Sequence, residues 1–212
     1  MTDLVIGADG LARCAWGGST GDYIAYHDGE WGRPVRGDDA LFERLTLEAF
    51  QSGLSWLTIL RKRPAFRRAF DGFSVAAVAA YTDADVARLL ADAGIVRNRL
   101  KIAATLHNAR VAAALPGGLS RLLWSWAPPP RPRPSSFADV PATTVESTAM
   151  AKDLKRRGFR FVGPTTAYAL MQATGMVDDH LAGCHVTGPA GQPAAGGEAA
   201  GGEAAGGSHR TA

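Results

Sequence analysis

Side chains that bind metals are scarce in this chain and fall toward its two ends. It has two cysteines and five histidines in 212 residues. Cys14 and His27 come early; His180 and Cys184 come late, spaced i,i+4. Two thiolates and two imidazoles would complete a closed tetrahedral Zn²⁺ set, the type that braces a fold rather than the open type used in catalysis. Carried on a helix, His180 and Cys184 would point to one face. The Cys14 to His27 interval is not a finger spacing, and free cysteines in a reducing compartment also serve as small buried hydrophobes. Spacing alone leaves both readings open.

A second concentration of chemistry surrounds His27. The stretch "YIAYHDGEWG", residues 23–32, crowds two tyrosines, a histidine, two acids and a tryptophan into ten residues. Its apolar positions repeat with neither the helical nor the strand period, so these side chains are selected for chemistry more than for packing.

A third group is basic. "KDLKRRG" ends one helical pattern, and "FRFVGPTTAYALMQATG" begins the next after a short turn. Gly158 closes the first helix, Gly163 permits a tight turn, and Pro164 starts the second with Thr165 and Thr166 in its first turn. Exposed backbone N–H groups at such a helix start form an anion site, for which a DNA phosphate is the usual occupant. Lys152, Lys155, Arg156, Arg157 and Arg160 surround it with positive charge. The alternative is an ordinary helical hairpin with a solvated basic face.

The elements that must position these groups are helices. From Asp38 to Trp126 nearly every segment has helical periodicity, beginning with "DDALFERLTLEAF". Ser74 and Thr82 read as N-caps, Thr82 with Asp85 in a capping box. Pro64 stands where a new helix could begin. A helix restarts after Asn98 and ends before Pro116, and another runs from about Ser147 to Arg157. No convincing alternation of β-branched residues appears, so the expected class is all-α. "APPPRPRPSS", residues 127–136, is a stiff extended connector.

Composition sets the outer limits. The chain is 46% hydrophobic and 20% charged, enough apolar matter for one substantial core, and its net charge of +3 permits an anionic partner without requiring one. Residues 1–10 are expected as a flexible arm, 11–187 as one domain, and 188–212, with its repeated "AAGGE", as a disordered tail. There is no secretory pattern and no apolar run near the roughly 18 residues needed to span a bilayer. The expected setting is the cytoplasm, with no membrane partner and a monomeric chain.

The motifs "RCAW", "YIAYHDGEWG", "LEAFQSGLSW", "RRGFRFVG" and "DHLAGC" occur in an order that resembles the DNA-3-methyladenine glycosylase I family. The hairpin around Val162, Gly163, Thr166 and Ala167, followed by "VDDH", resembles the helix-hairpin-helix motif of the wider DNA glycosylase superfamily. The likeness runs over about residues 13–185. It implies a helix-hairpin-helix bundle (hairpin about 147–175) in which Cys14, His27, His180 and Cys184 bind one structural zinc and tie the chain ends together. "CAW" and "GEWG" stand where the family often has "CGW" and "NEWG". Asp178 occupies a position where Asn is expected.

The resemblance also implies an activity: base-excision repair of alkylated double-stranded DNA by hydrolysis of the N-glycosidic bond of 3-methyladenine. A 3-methylated adenine is cationic, so its bond to the sugar is already weakened. The enzyme must extrude the base, recognise it and tolerate a cationic sugar. Trp16, Tyr23, Tyr26, Trp31 and Trp56 are expected to wall an aromatic pocket suited to a planar cation. Glu48, a solvated helix acid in an unfamiliar protein, becomes by resemblance the catalytic residue, a polar reader that contacts the flipped base. Asp28 and Glu30 read as local turn and capping residues, Trp124 and Trp126 as packing. Lys155, Arg156, Arg160, Gly163 and Thr165 are the expected phosphate contacts. Two competing readings are a non-catalytic, zinc-containing helix-hairpin-helix DNA-binding protein and a zinc hydrolase. The closed ligand set and the lack of an HExxH motif weigh against the hydrolase.

Overall fold

One helix, α2 (Asp38–Gln51), organises the molecule, because every residue from Leu41 to Phe50 is buried. A helix covered on all sides must lie inside others. Here α3 (Trp56–Ala69), α6 (Arg99–Ala113), α7 (Gly118–Trp124) and α9 (Pro164–Ala173) pack around it. The structure, a computed structural model, describes residues 3–187. The expected tail from 188 lies outside them. Among the described residues the fold is mostly helical, as the periodicity implied, with α1 (Gly21–Gly29), α4 (Val75–Ala79), α5 (Asp83–Ala91) and α8 (Val145–Arg156) completing the set.

The core is apolar and aromatic. Phe42, Phe50, Phe66, Phe70 and Phe73 are fully buried, with Phe50 and Phe66 ring centroids 4.8 Å apart. The expected caps form: Ser74 accepts from the Ala77 N–H, and Thr82 and Asp85 make a capping box. Pro64 does not begin a helix. It lies inside α3, which runs through it because Ile59, Arg63 and Phe66 keep one face buried. That packing outweighs the one backbone hydrogen bond that proline cannot donate.

The described part of the expected arm, residues 3–10, is not simply an arm. Leu4–Ile6 (β1) pairs antiparallel with Ala12–Cys14 (β2), aligning Leu4 with Cys14. Strands three residues long carry too little alternation to be read from sequence. The proline-rich connector is extended, and its Pro134 carbonyl accepts from the Ala182 N–H. It thus passes over the segment that carries His180 and Cys184. That segment is not a helix, as the i,i+4 spacing suggested, but a turn in which the Cys184 N–H donates to the Leu181 carbonyl.

Candidate active site

"YIAYHDGEWG" folds largely as α1, opened by Thr20, whose hydroxyl accepts from the Tyr23 N–H. Its lack of an apolar stripe has a cause: its sides face different surroundings. Tyr23 and Tyr26 face a cavity, while His27 faces the metal-type cluster. Trp16 joins the two. Its ring centroid lies 5.7 Å from Tyr23, 5.0 Å from Trp31 and 5.2 Å from His27. Gly17 makes that approach possible, since a Cβ there would fall 2.4 Å from the His27 ring.

The cavity has a volume of about 360 Å³, at the small end of ligand pockets. Trp16, Tyr23, Tyr26, Trp31, Glu48 and Trp56 all line it, so the residues expected at the base site are brought together. Tyr26 and Trp56 lie 5.4 Å apart, and the Tyr23 hydroxyl accepts from the Leu57 N–H at the start of α3. Gln51, Phe137, Val140, Ala169, Gln172 and Asp179 complete the lining. Sequence reasoning gave none of these a role. Asp179 is the instructive case, because Asp178 and Asp179 look equivalent in "VDDH". The fold buries Asp179 at the cavity wall and leaves Asp178 half-exposed, paired with Arg133 at 2.9 Å.

Glu48 is distinguished by what it lacks. Of the charged residues on the buried span of α2, Arg44 pairs with Glu30 at 2.6 Å, and Glu43 pairs with Arg63 and Arg67. Glu48 is just as buried, yet it has no ion pair among the described residues, and no hydrogen bond stabilises its ionised form. Burial pushes its carboxyl up to about 8, with Arg44 opposing only in part. A carboxyl group in that condition is held ready for a ligand that can pair with it.

The second centre is the cluster of Cys14, His27, His180 and Cys184, all buried, with ligand atoms within 4.8 Å of one another. Cys184 Sγ lies 3.6 Å from His27 Nε2 and 3.6 Å from His180 Nδ1. A tetrahedral zinc with ordinary Zn–S and Zn–N bonds requires S···N edges of about 3.6 Å. The other nitrogen of each ring is already engaged. His27 Nδ1 lies 2.7 Å from Asp28 Oδ1, and His180 Nε2 lies 3.1 Å from the Trp31 carbonyl oxygen. Both acceptors draw the ring proton to their side, leaving the inward nitrogen as a lone-pair donor. Hydrogen bonding from Cys14 holds the Cys184 thiol far below its usual range. Burial opposes this, and His180 and His27 add to it. The donor set therefore fits zinc.

Glu30 caps the end of α1 as expected, its N–H donating to the Tyr26 carbonyl, but the side chains of Asp28 and Glu30 also make ion pairs that no local reading assigned them. Asp28 is clamped by Arg13 through Nε and Nη2 and touched by His185 Nε2 at 3.1 Å, while Arg13 is gripped from the other side by Asp9 at 2.6 Å. Glu30 bridges Arg44 and Arg63, both at 2.6 Å. Apart from Asp9–Arg13, these pairings join residues 14 or more positions apart, which no local pattern discloses.

The hairpin between α8 and α9 presents Lys155, Arg156, Arg160 and Thr165 at the surface. Arg156 is shared with Asp153, and the Arg160 backbone is held by Asn108 through both its N–H and its carbonyl. The positive-φ residues of the turn are Gly158, at φ 100, and Phe161, at φ 57, and not Gly163, whose φ of −109 is ordinary. Gly163 has open space where a Cβ would be, and α9 begins with no side-chain cap. Bare amides facing open space give an anion room to approach.

A family model described as methyladenine glycosylase matches residues 16–187. The chain is 42% identical over 179 residues to DNA-3-methyladenine glycosylase 1 of Escherichia coli (strain K12), covering 82% of this chain and 96% of that protein. It is 41% identical to DNA-3-methyladenine glycosylase of Haemophilus influenzae (strain ATCC 51907 / DSM 11121 / KW20 / Rd), covering 81% and 96%. A crystal structure of 3-methyladenine DNA glycosylase I superposes with a TM-score of 0.78 at 43% identity, covering 82% of this chain and 98% of that one. A Staphylococcus aureus structure described as the basis of 3-methyladenine recognition superposes equally well at 36% identity, covering 82% and 95%. By sequence and by fold, the chain belongs to the methyladenine glycosylase family.

Proposed function

We propose that the chain hydrolyses the N-glycosidic bond of 3-methyladenine in alkylated duplex DNA and leaves an abasic site, as a monofunctional glycosylase. The observation that carries this reading is Glu48: a buried, unpaired carboxyl group among six aromatic side chains in one cavity. Such a site suits a planar cation carrying an amino group. The rings supply stacking and cation–π attraction, and the carboxyl supplies the acceptor and the counter-charge.

The chemistry then divides simply. The bond between the sugar C1′ and the base nitrogen breaks, and its electron pair neutralises the cationic base. Water adds to C1′ and loses a proton to solvent. The leaving group needs little protonation, so the residues contribute mainly flipping, recognition and charge stabilisation. Glu48 pairs with the positive base, Tyr26 and Trp56 flank it, and Trp16, Tyr23 and Trp31 close the remaining wall. Asp178, committed to Arg133, stays outside the catalytic set.

Cys14, His27, His180 and Cys184 would hold one structural zinc, which supplies a cross-link and no reacting group. Lys155, Arg156 and Arg160 would meet phosphates, with the Gly163 and Thr165 backbone offering amides to one of them. The protein is read as a monomer. The buried free cysteines fit a reducing cytoplasm, where we place its work.

Incubation with methylated duplex DNA, followed by chromatography of the released bases, tests the reading. Free 3-methyladenine should accumulate. Tight duplex binding without release would instead support the non-catalytic DNA-binding alternative.

A further inference from the structure

Asp179 has a fully buried side chain at the cavity wall, and three groups converge on its carboxylate. Arg131 Nη2, from the proline-rich connector, donates to Oδ1 at 2.7 Å. The Tyr168 hydroxyl and Gln172 Nε2, one turn apart on α9, donate to Oδ2 at 2.5 Å and 2.9 Å. Arg131 also donates to the Tyr168 oxygen, so the four side chains form one closed network. Both Asp179 oxygens are thereby engaged by the protein itself.

Gln172 is the member with capacity to spare. A carboxylate accepts hydrogen bonds and donates none, so the NH₂ end of the Gln172 amide must be the end turned to Asp179. Its carbonyl oxygen Oε1 is left over, on a half-buried side chain that lines the cavity from α9, while Glu48 lines it from α2. Without Asp179 the amide could present either end. With it, a ligand that reaches the amide from the cavity meets an acceptor.

We propose that Gln172 is a specificity-determining residue, a fixed acceptor for the exocyclic amino group of a methylated adenine, with Asp179 and Arg131 as the positioning residues that hold it so. Guanine carries a carbonyl at the same ring position and would meet Oε1 acceptor to acceptor, leaving both groups desolvated and unpaired. The proposal rests on the reading of the cavity as the flipped-base site.

Its test uses one methylated duplex containing both 3-methyladenine and 3-methylguanine, with single-turnover release of each base followed in the same reaction. Gln172→Met keeps the length of the side chain and removes the acceptor. Release of 3-methyladenine should fall about tenfold while that of 3-methylguanine stays level or rises, so the ratio between them drops about tenfold. Asp179→Asn, which frees the amide to turn over, should move the ratio in the same direction by a smaller factor. A structural defect would lower both rates together, and an unchanged ratio in Gln172→Met overturns the assignment whether or not the rates fall. If the wild-type protein releases neither base, the reading of the cavity fails first and takes this proposal with it.

Discussion

At the level of single residues, Glu48 shows how little a type and a position reveal alone. In "LEAFQSGLSW" it reads as a solvated helix acid, and only the family resemblance singled it out. The physical reason for its prominence is three-dimensional: α2 is enclosed, and every other acid near it has found an arginine. The same holds for Asp28 and Asp179, whose partners include the distant His185 and Arg131. A direct consequence concerns stability. Burial raises Glu48 to about 8 from an ordinary value of 4.5. The stability gained by burying the neutral acid is therefore complete below about 4.5 and is lost as pH climbs toward 8. Glu48→Gln stays neutral throughout. Its stability relative to wild type should rise between pH 5 and pH 8, by up to about 1.4 kcal/mol per pH unit. Denaturant melts at several pH values read this directly, and a difference that stays flat would show that Glu48 is ionised in the folded protein.

At the level of elements, the helices with a clean apolar stripe or a good cap were legible, from α2 through α6. Where packing or a distant contact decided the outcome, they were not. Pro64 is carried through α3 by the burial of its neighbours, and the short β1–β2 hairpin has no room to show a period. The turn holding His180 and Cys184 is shaped by the connector laid across it, although their spacing suggested a helix. In the α8–α9 hairpin the tight turn expected at Gly163 is made elsewhere: Gly163 leaves space, while Phe161 takes the strained backbone. If this hairpin tracks phosphates, Lys155→Glu and Arg160→Glu should weaken duplex binding regardless of sequence. Each should also make the dependence of log affinity on log salt shallower by about one unit. An unaltered salt dependence with a changed base preference would move these residues from the backbone to the bases.

At the level of the whole molecule, the two ends of the described chain meet at the Cys14–His27–His180–Cys184 cluster, against the wall of the cavity. Trp16 and Trp31 touch His27, and Trp31 also accepts a hydrogen bond from His180. Order at this cluster and order in the cavity are therefore one matter. Purified protein should contain close to one zinc per chain, and a strong chelator should lower its unfolding temperature, because binding that exists only in the folded state adds to folding free energy. A melting curve indifferent to chelation would remove zinc from the account. The central claim, that this cavity excises a methylated adenine through Glu48, has a more direct test in Glu48→Ala. Release of free 3-methyladenine from methylated duplex DNA under single-turnover conditions should slow by about a hundredfold or more, with zinc content, unfolding cooperativity and affinity for undamaged duplex near wild type. Release at the wild-type rate, with those same properties intact, would contradict it.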